Sequence, residues 1–126
     1  MSITSQICTS IEQSRRLLDL GLKSETADMY IDLYHEDNPF VVQNKIDYSK
    51  QTDFLPAWSL HRLIEMLPDE IDGCYSLTLN KKYLQYEDYV IEIIKSFENT
   101  SIYNNIIDCI EWLISEGYFN EEYLKQ

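Results

Sequence analysis

The central stretch of the chain reads Phe54-Leu-Pro-Ala-Trp-Ser-Leu-His-Arg-Leu-Ile-Glu-Met-Leu-Pro68. Pro56 disfavours a helical conformation at the residue before it, so the stretch is predicted to begin extended. Ser59 is a typical N-cap residue, because its side-chain oxygen can accept a hydrogen bond from a first-turn N–H. Pro68 ends the helix, since it lacks a donor and its ring clashes with the preceding turn. The residues expected on the apolar face of this helix are Leu60, Leu63, Ile64 and Leu67.

Trp58 lies immediately before the cap and has two possible roles. Packed on Leu63, it is a hydrophobic staple that fixes the angle at which the chain enters the helix. Exposed beside His61 and Arg62, it is instead the best single contact residue in the stretch. We expect the staple.

The residues before this stretch predict two helices joined by a glycine turn. Thr9 and Glu12 have the spacing of a capping box, and the helix that follows is expected to run to Leu20. Gly21 is then placed as a left-handed C-terminal cap, and Ser24 as the start of a second helix. The apolar stripe of that second helix is Ala27, Tyr30, Ile31 and Tyr34. Together the two helices form an N-terminal helical hairpin.

Residues 35–52 carry a weaker pattern. The segments 40–42 and 46–48 are compatible with short edge strands or with an ordered loop held by aromatic side chains. Pro39 and several Asn and Asp residues favour turns, so we expect the loop.

After the central helix, the apolar period changes from about 3.6 to 2 residues, as expected for strands. The predicted antiparallel sheet has strands at about 74–80, 83–87 and 89–95, the last of them covered on both faces. A long C-terminal helix at about 101–116 is expected to lie across this sheet, and Gly117 to end it. The fold class is therefore α+β, in a single domain over residues 1–126, with residues 1–8 expected to be flexible.

The chain has 22 acidic and 10 basic residues, a formal net charge of −12. Direct nucleic-acid binding is disfavoured, because it needs a basic stripe that displaces counterions from phosphates. Binding to anionic membranes is disfavoured for the same reason. A basic protein partner is favoured electrostatically, although a strongly acidic surface also serves solubility alone.

The inventory of reactive side chains is small. The two histidines, His35 and His61, stand in no nucleophile motif, and three glycines are too few for a glycine-rich phosphate loop. The segment His35-Glu36-Asp37 is better explained as a solvated loop than as a metal site, because no second ligand motif accompanies it. Three widely spaced cysteines indicate free thiols in a cytoplasmic protein. We therefore predict no enzymatic activity, no metal and no cofactor. Apolar runs of only a few residues and an N-terminus without a basic flank predict neither a membrane span nor a signal peptide.

Ten tyrosines suggest a contact surface, because tyrosine combines a large contact area with a polar tip. The alternative is that they line the edges of the core. The residues predicted to contact a protein partner are Glu36, Asp37, Tyr83, Tyr86, Glu87 and Asp88.

Several segments resemble small uncharacterised acidic proteins encoded by phages and mobile elements of gut anaerobic bacteria. They are Leu17-Leu-Asp-Leu-Gly-Leu22, Pro56-Ala-Trp-Ser-Leu60 and Ile110-Glu-Trp-Leu-Ile-Ser-Glu-Gly-Tyr118. The similarity runs from about Ser10 to Leu124. It implies a phage-related protein in the cytoplasm of a bacterial host, and it assigns no binding or catalytic residue.

Three functions follow as hypotheses. The first is a non-enzymatic accessory protein that acts by binding another protein. The second is a nucleic-acid mimic whose carboxylates occupy the groove of a host DNA- or RNA-binding protein. The third is a structural subunit or homo-oligomer.

Overall fold

The structure, a computed structural model, describes residues 6–34, 38–41, 54–90, 92–99 and 101–125. The fold class is α+β, as predicted, with three α-helices and two small antiparallel sheets among these residues. The chain divides into two compact units, the first formed by Met1–Leu63 and Glu122–Gln126 and the second by Ile64–Glu121. The single domain over residues 1–126 stays a prediction.

The first unit contains helix α1 (Ile11–Asp19) and a sheet of β1 (Met29–Asp32), β2 (Asn38–Val41) and β3 (Phe54–Ala57). The sheet order is β2-β1-β3, and both pairings are antiparallel. Pro56 lies in β3, an edge strand, where the missing N–H of proline is tolerated. A cluster of buried side chains forms the core of this sheet: Cys8, Met29, Ile31, Leu55 and Ala57.

The N-terminal helical hairpin is wrong in its second half. Ser24–Thr26 form only a short 3₁₀ turn, and β1 follows where the second helix was predicted. Met29, Tyr30 and Ile31 are all buried. A short apolar run that is buried on both faces has no polar alternation, so its period does not separate a strand from a helix. Pairing with β2 and β3 decides the conformation.

The first helix is capped one residue later than predicted. Ser10 accepts from the Gln13 backbone N–H at 3.1 Å, and the Gln13 side chain accepts from the Ser10 N–H at 2.9 Å. Thr9 is fully buried and pairs with Trp58 instead. At the other end, Gly21 has a φ of 105°, the left-handed cap that the sequence predicts.

Two further predictions concern residues 35–52 and residues 1–8. Residues 38–41 form a strand, which corrects the ordered loop expected over residues 35–52. The proposed strand at 46–48 lies outside the described residues. So do residues 1–5 of the segment expected to be flexible, while Cys8 is buried in the core.

Helix α2 spans Leu60–Met66, and its predicted cap is confirmed, since Ser59 Oγ accepts from the Arg62 N–H at 3.1 Å. Trp58 is fully buried, as the staple requires.

The second unit contains a four-stranded sheet in the order β4-β5-β6-β7 and helix α3 (Ile102–Glu116). The strands are β4 (Glu70–Ile71), β5 (Tyr75–Leu79), β6 (Leu84–Glu87) and β7 (Ile93–Phe97). Antiparallel pairing aligns Leu77 with Tyr86, and Tyr86 with Lys95. Directly opposed residues share a face, so these three side chains lie on one side of the sheet.

The last strand begins later than its predicted bounds of 89–95. The Asp88 carboxylate accepts from the N–H groups of Val90 and Glu92, at 3.0 and 2.8 Å, and holds a turn there. Tyr89 and Val90 therefore lie in the turn rather than in a strand covered on both faces. Local side-chain bonding by Asp outweighs the strand propensity of these apolar residues.

Helix α3 matches its predicted range. Ser101 caps its start, and Gly117, with a φ of 78°, ends it. One polar residue of this helix, Asn105, is fully buried. Its Oδ1 accepts from the backbone N–H of Asn99, so a buried amide side chain ties the preceding loop to the helix.

Candidate functional site

A groove of about 450 Å³ lies between strand β7 and helix α3 in the second unit. The strand contributes three consecutive residues and the helix four residues from one face. The lining residues are Lys95, Ser96, Phe97, Asp108, Glu111, Trp112 and Ser115.

The spacing of the helical residues explains their convergence. Positions 108, 111, 112 and 115 are related by steps of three and four, which place side chains on one face of a helix. Consecutive side chains of a strand point to opposite faces of the sheet, and the lining includes Lys95, Ser96 and Phe97. Because β7 is an outermost strand of the sheet, the groove runs along this strand, beside α3.

Aromatic rings form the apolar part of the groove. The ring of Trp112 lies 6.2 Å from that of Phe97, 6.3 Å from Tyr86 and 5.8 Å from Tyr118, measured between centroids. These are edge-on and tilted arrangements within the range at which aromatic pairs attract. Tyr86 is fully buried, whereas Trp112 is half-buried. The indole therefore contacts a core side chain and also lines the groove.

The charges in the groove are mixed, with an acidic excess. Asp108 and Glu111 lie one helical turn apart on α3, and Lys95 faces them from the lining on β7. The ammonium of Lys95 lies 5.7 Å from the centroid of the Phe97 ring, a cation–π contact. The groove thus already accommodates a cation against an aromatic ring.

Large apolar side chains are exposed next to the groove, in the same strand and in the turn that precedes it. Ile93 is 47% exposed and Ile94 36%, while Tyr89 and Val90 in the turn are 93% and 75% exposed. Single exposed apolar residues are common on soluble proteins, whereas a contiguous group of them often marks a contact surface.

Carboxylates also surround the turns of this sheet. The pKa of Tyr75 is raised, chiefly by the negative charge of Glu92, with smaller effects from desolvation and from Asp88 and Asp72. Tyr118 donates to Asp72 Oδ2 at 3.1 Å, and this hydrogen bond raises the pKa of its phenol. Nearby carboxylates thus disfavour the ionised form of both phenols, Tyr75 and Tyr118.

The residues predicted as protein contacts fall into three groups. Glu36 and Asp37 lie outside the described residues. Tyr86 is fully buried, and its hydroxyl donates to the Pro68 carbonyl at 2.8 Å, so its inclusion is corrected. Its position opposite Lys95, on the face toward Trp112, explains the burial.

The other three residues are partly accessible. Tyr83 is half-buried, directly after the turn that the Asn80 side chain closes. Glu87 accepts from Thr78 Oγ1 at 2.9 Å and from Gln85 Nε2 at 3.1 Å, and Asp88 holds the β6–β7 turn. Glu87 thus ends β6 and Asp88 begins the turn that leads to β7, and both accept hydrogen bonds from within the second unit.

Sequence reasoning missed Trp112 as a site residue. The available signal was an indole among the polar residues of α3, in the same stripe as Asp108, Glu111 and Ser115. A large aromatic side chain on the polar face of an amphipathic helix is either buried by another element or presented to a partner.

The groove lining contains no histidine or cysteine. Within the described ranges, no three His, Cys, Asp or Glu side chains are grouped so as to hold a metal ion. None of the described helices has the length and apolar content needed to cross a membrane. No family model, curated protein or solved structure matches the chain.

Proposed function

We propose that this protein is a non-enzymatic binding protein whose second unit holds a partner protein along the edge of strand β7. The observation that carries the proposal is the exposure of Ile93 and Ile94 on β7, an outermost strand of the sheet, immediately before the residues that line the groove. Burying such side chains against a partner stabilises a complex by about 25 cal/mol per Å² of apolar surface, before association costs.

The net charge supports a partner of opposite sign. A chain of net charge −12 repels other acidic surfaces and accelerates encounters with basic ones. The same charge opposes assembly of identical copies, so a different protein is favoured over a homo-oligomer. Nucleic-acid mimicry needs an ordered double row of carboxylates, whereas this groove combines carboxylates with an indole and a lysine.

The resemblance to acidic phage and mobile-element proteins supplies the proposed context. In that context the protein works in the cytoplasm of a bacterial host, and the partner is a host or mobile-element protein. The segments that support this context are Leu17–Leu22, Pro56–Leu60 and Ile110–Tyr118.

Affinity capture from a host lysate, at low and at moderate salt, tests the proposal. The wild-type protein is expected to retain a partner that the variant Ile93→Lys loses, because a buried ammonium replaces an apolar contact. A matched control is Tyr34→Ser, which changes a side chain that is 79% exposed in the first unit. The captured protein is then purified and its binding to the three proteins measured by calorimetry. Equal affinity for wild type and Ile93→Lys, or no retained partner at either salt concentration, contradicts the proposal.

A further inference from the structure

Resting on that proposed function, we infer that the partner contributes an extended segment with a basic side chain. The segment adds as a strand to the outer edge of β7, and its ammonium or guanidinium group enters the groove beside Asp108, Glu111 and Trp112.

The sheet leaves one substantial edge open among the described strands. In the order β4-β5-β6-β7, the two outermost strands are β4 and β7. β4 has only two residues, Glu70–Ile71, while β7 has five, Ile93–Phe97. Alternate residues of an outer strand direct their N–H and C=O groups away from the sheet, and an extended peptide can bond to them. The pairing of β7 with β6 is regular over Lys95–Phe97 and shifts in register between Tyr86 and Glu87, so the regular part of this edge adjoins the groove. β4 is too short to pair with a peptide in this way.

The groove continues this edge. Because its lining includes three consecutive residues of β7, an added strand would lie along the groove, with α3 as the second wall. Alternate side chains of that strand would point towards the helix. Backbone pairing with β7 gives affinity, and the pocket that receives one side chain gives specificity.

The chemistry of the pocket favours a cation. Two carboxylates, Asp108 and Glu111, and one ammonium, Lys95, leave the lining with a net formal charge of −1. Trp112 supplies an aromatic face, and indole is the best ring partner for a lysine or arginine side chain. A planar guanidinium can both stack on the indole and bond to a carboxylate.

Charge also decides between a basic segment and a second copy of this chain. Pairing two β7 strands would bring together two proteins of charge −12 each. A basic segment instead gains from the same field.

The test uses a short end-capped peptide in which valine and threonine alternate around one central arginine. Titration followed by calorimetry is expected to show saturable binding that weakens with salt. Backbone amide exchange should slow in β7 on binding, and it should remain unchanged in β6, which already pairs on both sides. The same peptide with alternate backbone nitrogens methylated keeps its charge but cannot add as a strand, and it is expected not to bind.

Two protein variants separate the charge effect from folding. Asp108→Asn combined with Glu111→Gln preserves the size of both side chains, and it is expected to weaken peptide binding by about threefold to tenfold. Glu116→Gln removes a carboxylate from the same helix outside the groove, and it should leave the affinity unchanged. A peptide with glutamate in place of arginine should bind more weakly than the original.

The outcomes distinguish this inference from the proposed function. If the methylated peptide binds as well as the original, or if exchange in β7 does not change, strand addition is wrong. If no peptide binds while Ile93→Lys still abolishes binding of the captured protein, the proposed binding surface is supported. The inference of a basic extended segment is then wrong. If light scattering shows a dimer that Ile93→Lys dissociates, a second copy occupies the edge and the inference fails.

Discussion

The indole N–H of Trp58 donates a hydrogen bond to the hydroxyl oxygen of Thr26 at 3.0 Å, across 32 residues of sequence. The Thr26 hydroxyl in turn donates to the carbonyl of Lys23 at 2.6 Å. The backbone of Trp58 is also held, because its N–H donates to Thr9 Oγ1 at 3.0 Å and its carbonyl accepts from the Thr9 N–H at 2.9 Å. Trp58, two residues before α2, is thus fixed through both its side chain and its backbone.

Replacing Trp58 should lower the free energy of unfolding by an amount that depends on what is removed. Trp58→Ala is expected to cost about 3–5 kcal/mol, because a fully buried aromatic side chain leaves a cavity. Trp58→Phe and Thr26→Val each remove the hydrogen bond between the two side chains, and each should lower the free energy of unfolding by about 1–3 kcal/mol. Urea unfolding of both single variants and the double variant measures the coupling. Strictly additive effects would show that the bond contributes nothing, and an unchanged melting temperature of Trp58→Ala would contradict its burial.

The start of α2 depends on a pair of side chains. Asp28 accepts from the Ser59 N–H at 2.8 Å and from the Ser59 hydroxyl at 2.5 Å, while Ser59 Oγ accepts from the Arg62 N–H. Ser59→Ala removes the last two bonds and should destabilise the protein by about 1–2 kcal/mol. Asp28→Asn keeps one acceptor oxygen and should cost less, as measured by chemical unfolding. The opposite order of the two effects would show that the carboxylate, and not the cap, holds this helix.

The end of α3 requires a left-handed residue. Gly117 has a φ of 78°, and a Cβ placed there would meet no atom within 4 Å. Gly117→Ala should therefore cost about 1–2 kcal/mol of unfolding free energy, from backbone strain alone. Gly117→Asn is the matched comparison, because asparagine adopts this conformation more readily, and it should lose less. Equal losses in thermal unfolding would indicate that a steric clash, and not the backbone angle, limits the site.

The three thiols should differ in reactivity. Cys74 is exposed, whereas Cys8 and Cys109 are buried. Desolvation is the main cause that raises the pKa of Cys8 to about 11 and that of Cys109 to about 12. A thiol reagent at neutral pH is expected to modify Cys74 rapidly, and the other two only after unfolding. Fast modification of more than one thiol in the native protein, or of none, contradicts this assignment.

The same raised pKa values predict a loss of stability in alkali. Between the ordinary thiol pKa of about 9 and the folded values near 11 and 12, the unfolded chain has lost protons that the folded chain retains. The free energy of unfolding should be unaffected by these thiols below pH 9 and fall as the pH rises from 9 towards 12. Cys8→Ala combined with Cys109→Ala should flatten this fall relative to wild type in unfolding experiments across that range. An identical slope would assign the alkaline loss to the tyrosines.

The sequence predicts elements whose ends carry local chemical signals. Ser59, Gly21 and Gly117 each set the end of a helix through a local hydrogen bond or backbone angle. The helix caps and α3 could therefore be predicted from the sequence. Strand β1 could not, since its conformation depends on pairing with Phe54–Ala57, more than twenty residues away. The start of β7 was misjudged because one Asp side chain, at position 88, redirects the backbone.

The sequence predicts residues near the candidate site but not the groove itself. Glu87 and Asp88 precede the strand that lines the groove, but the groove itself needs α3 beside β7, and no local pattern specifies that contact. Tyr86 illustrates the limit: alternation tells which side chains share a face, and it does not tell which face is covered.

Lys95 lies at the midpoint of β7, where its charge disfavours aggregation of the chain before it has folded. An outer strand with the sequence Ile93-Ile-Lys-Ser-Phe97 has enough apolar content to nucleate fibrils if copies stack edge to edge. A charged residue at its midpoint acts as a gatekeeper, because stacking would place identical ammonium groups about 5 Å apart. The lysine therefore makes aggregation costly while leaving the ends of the strand apolar.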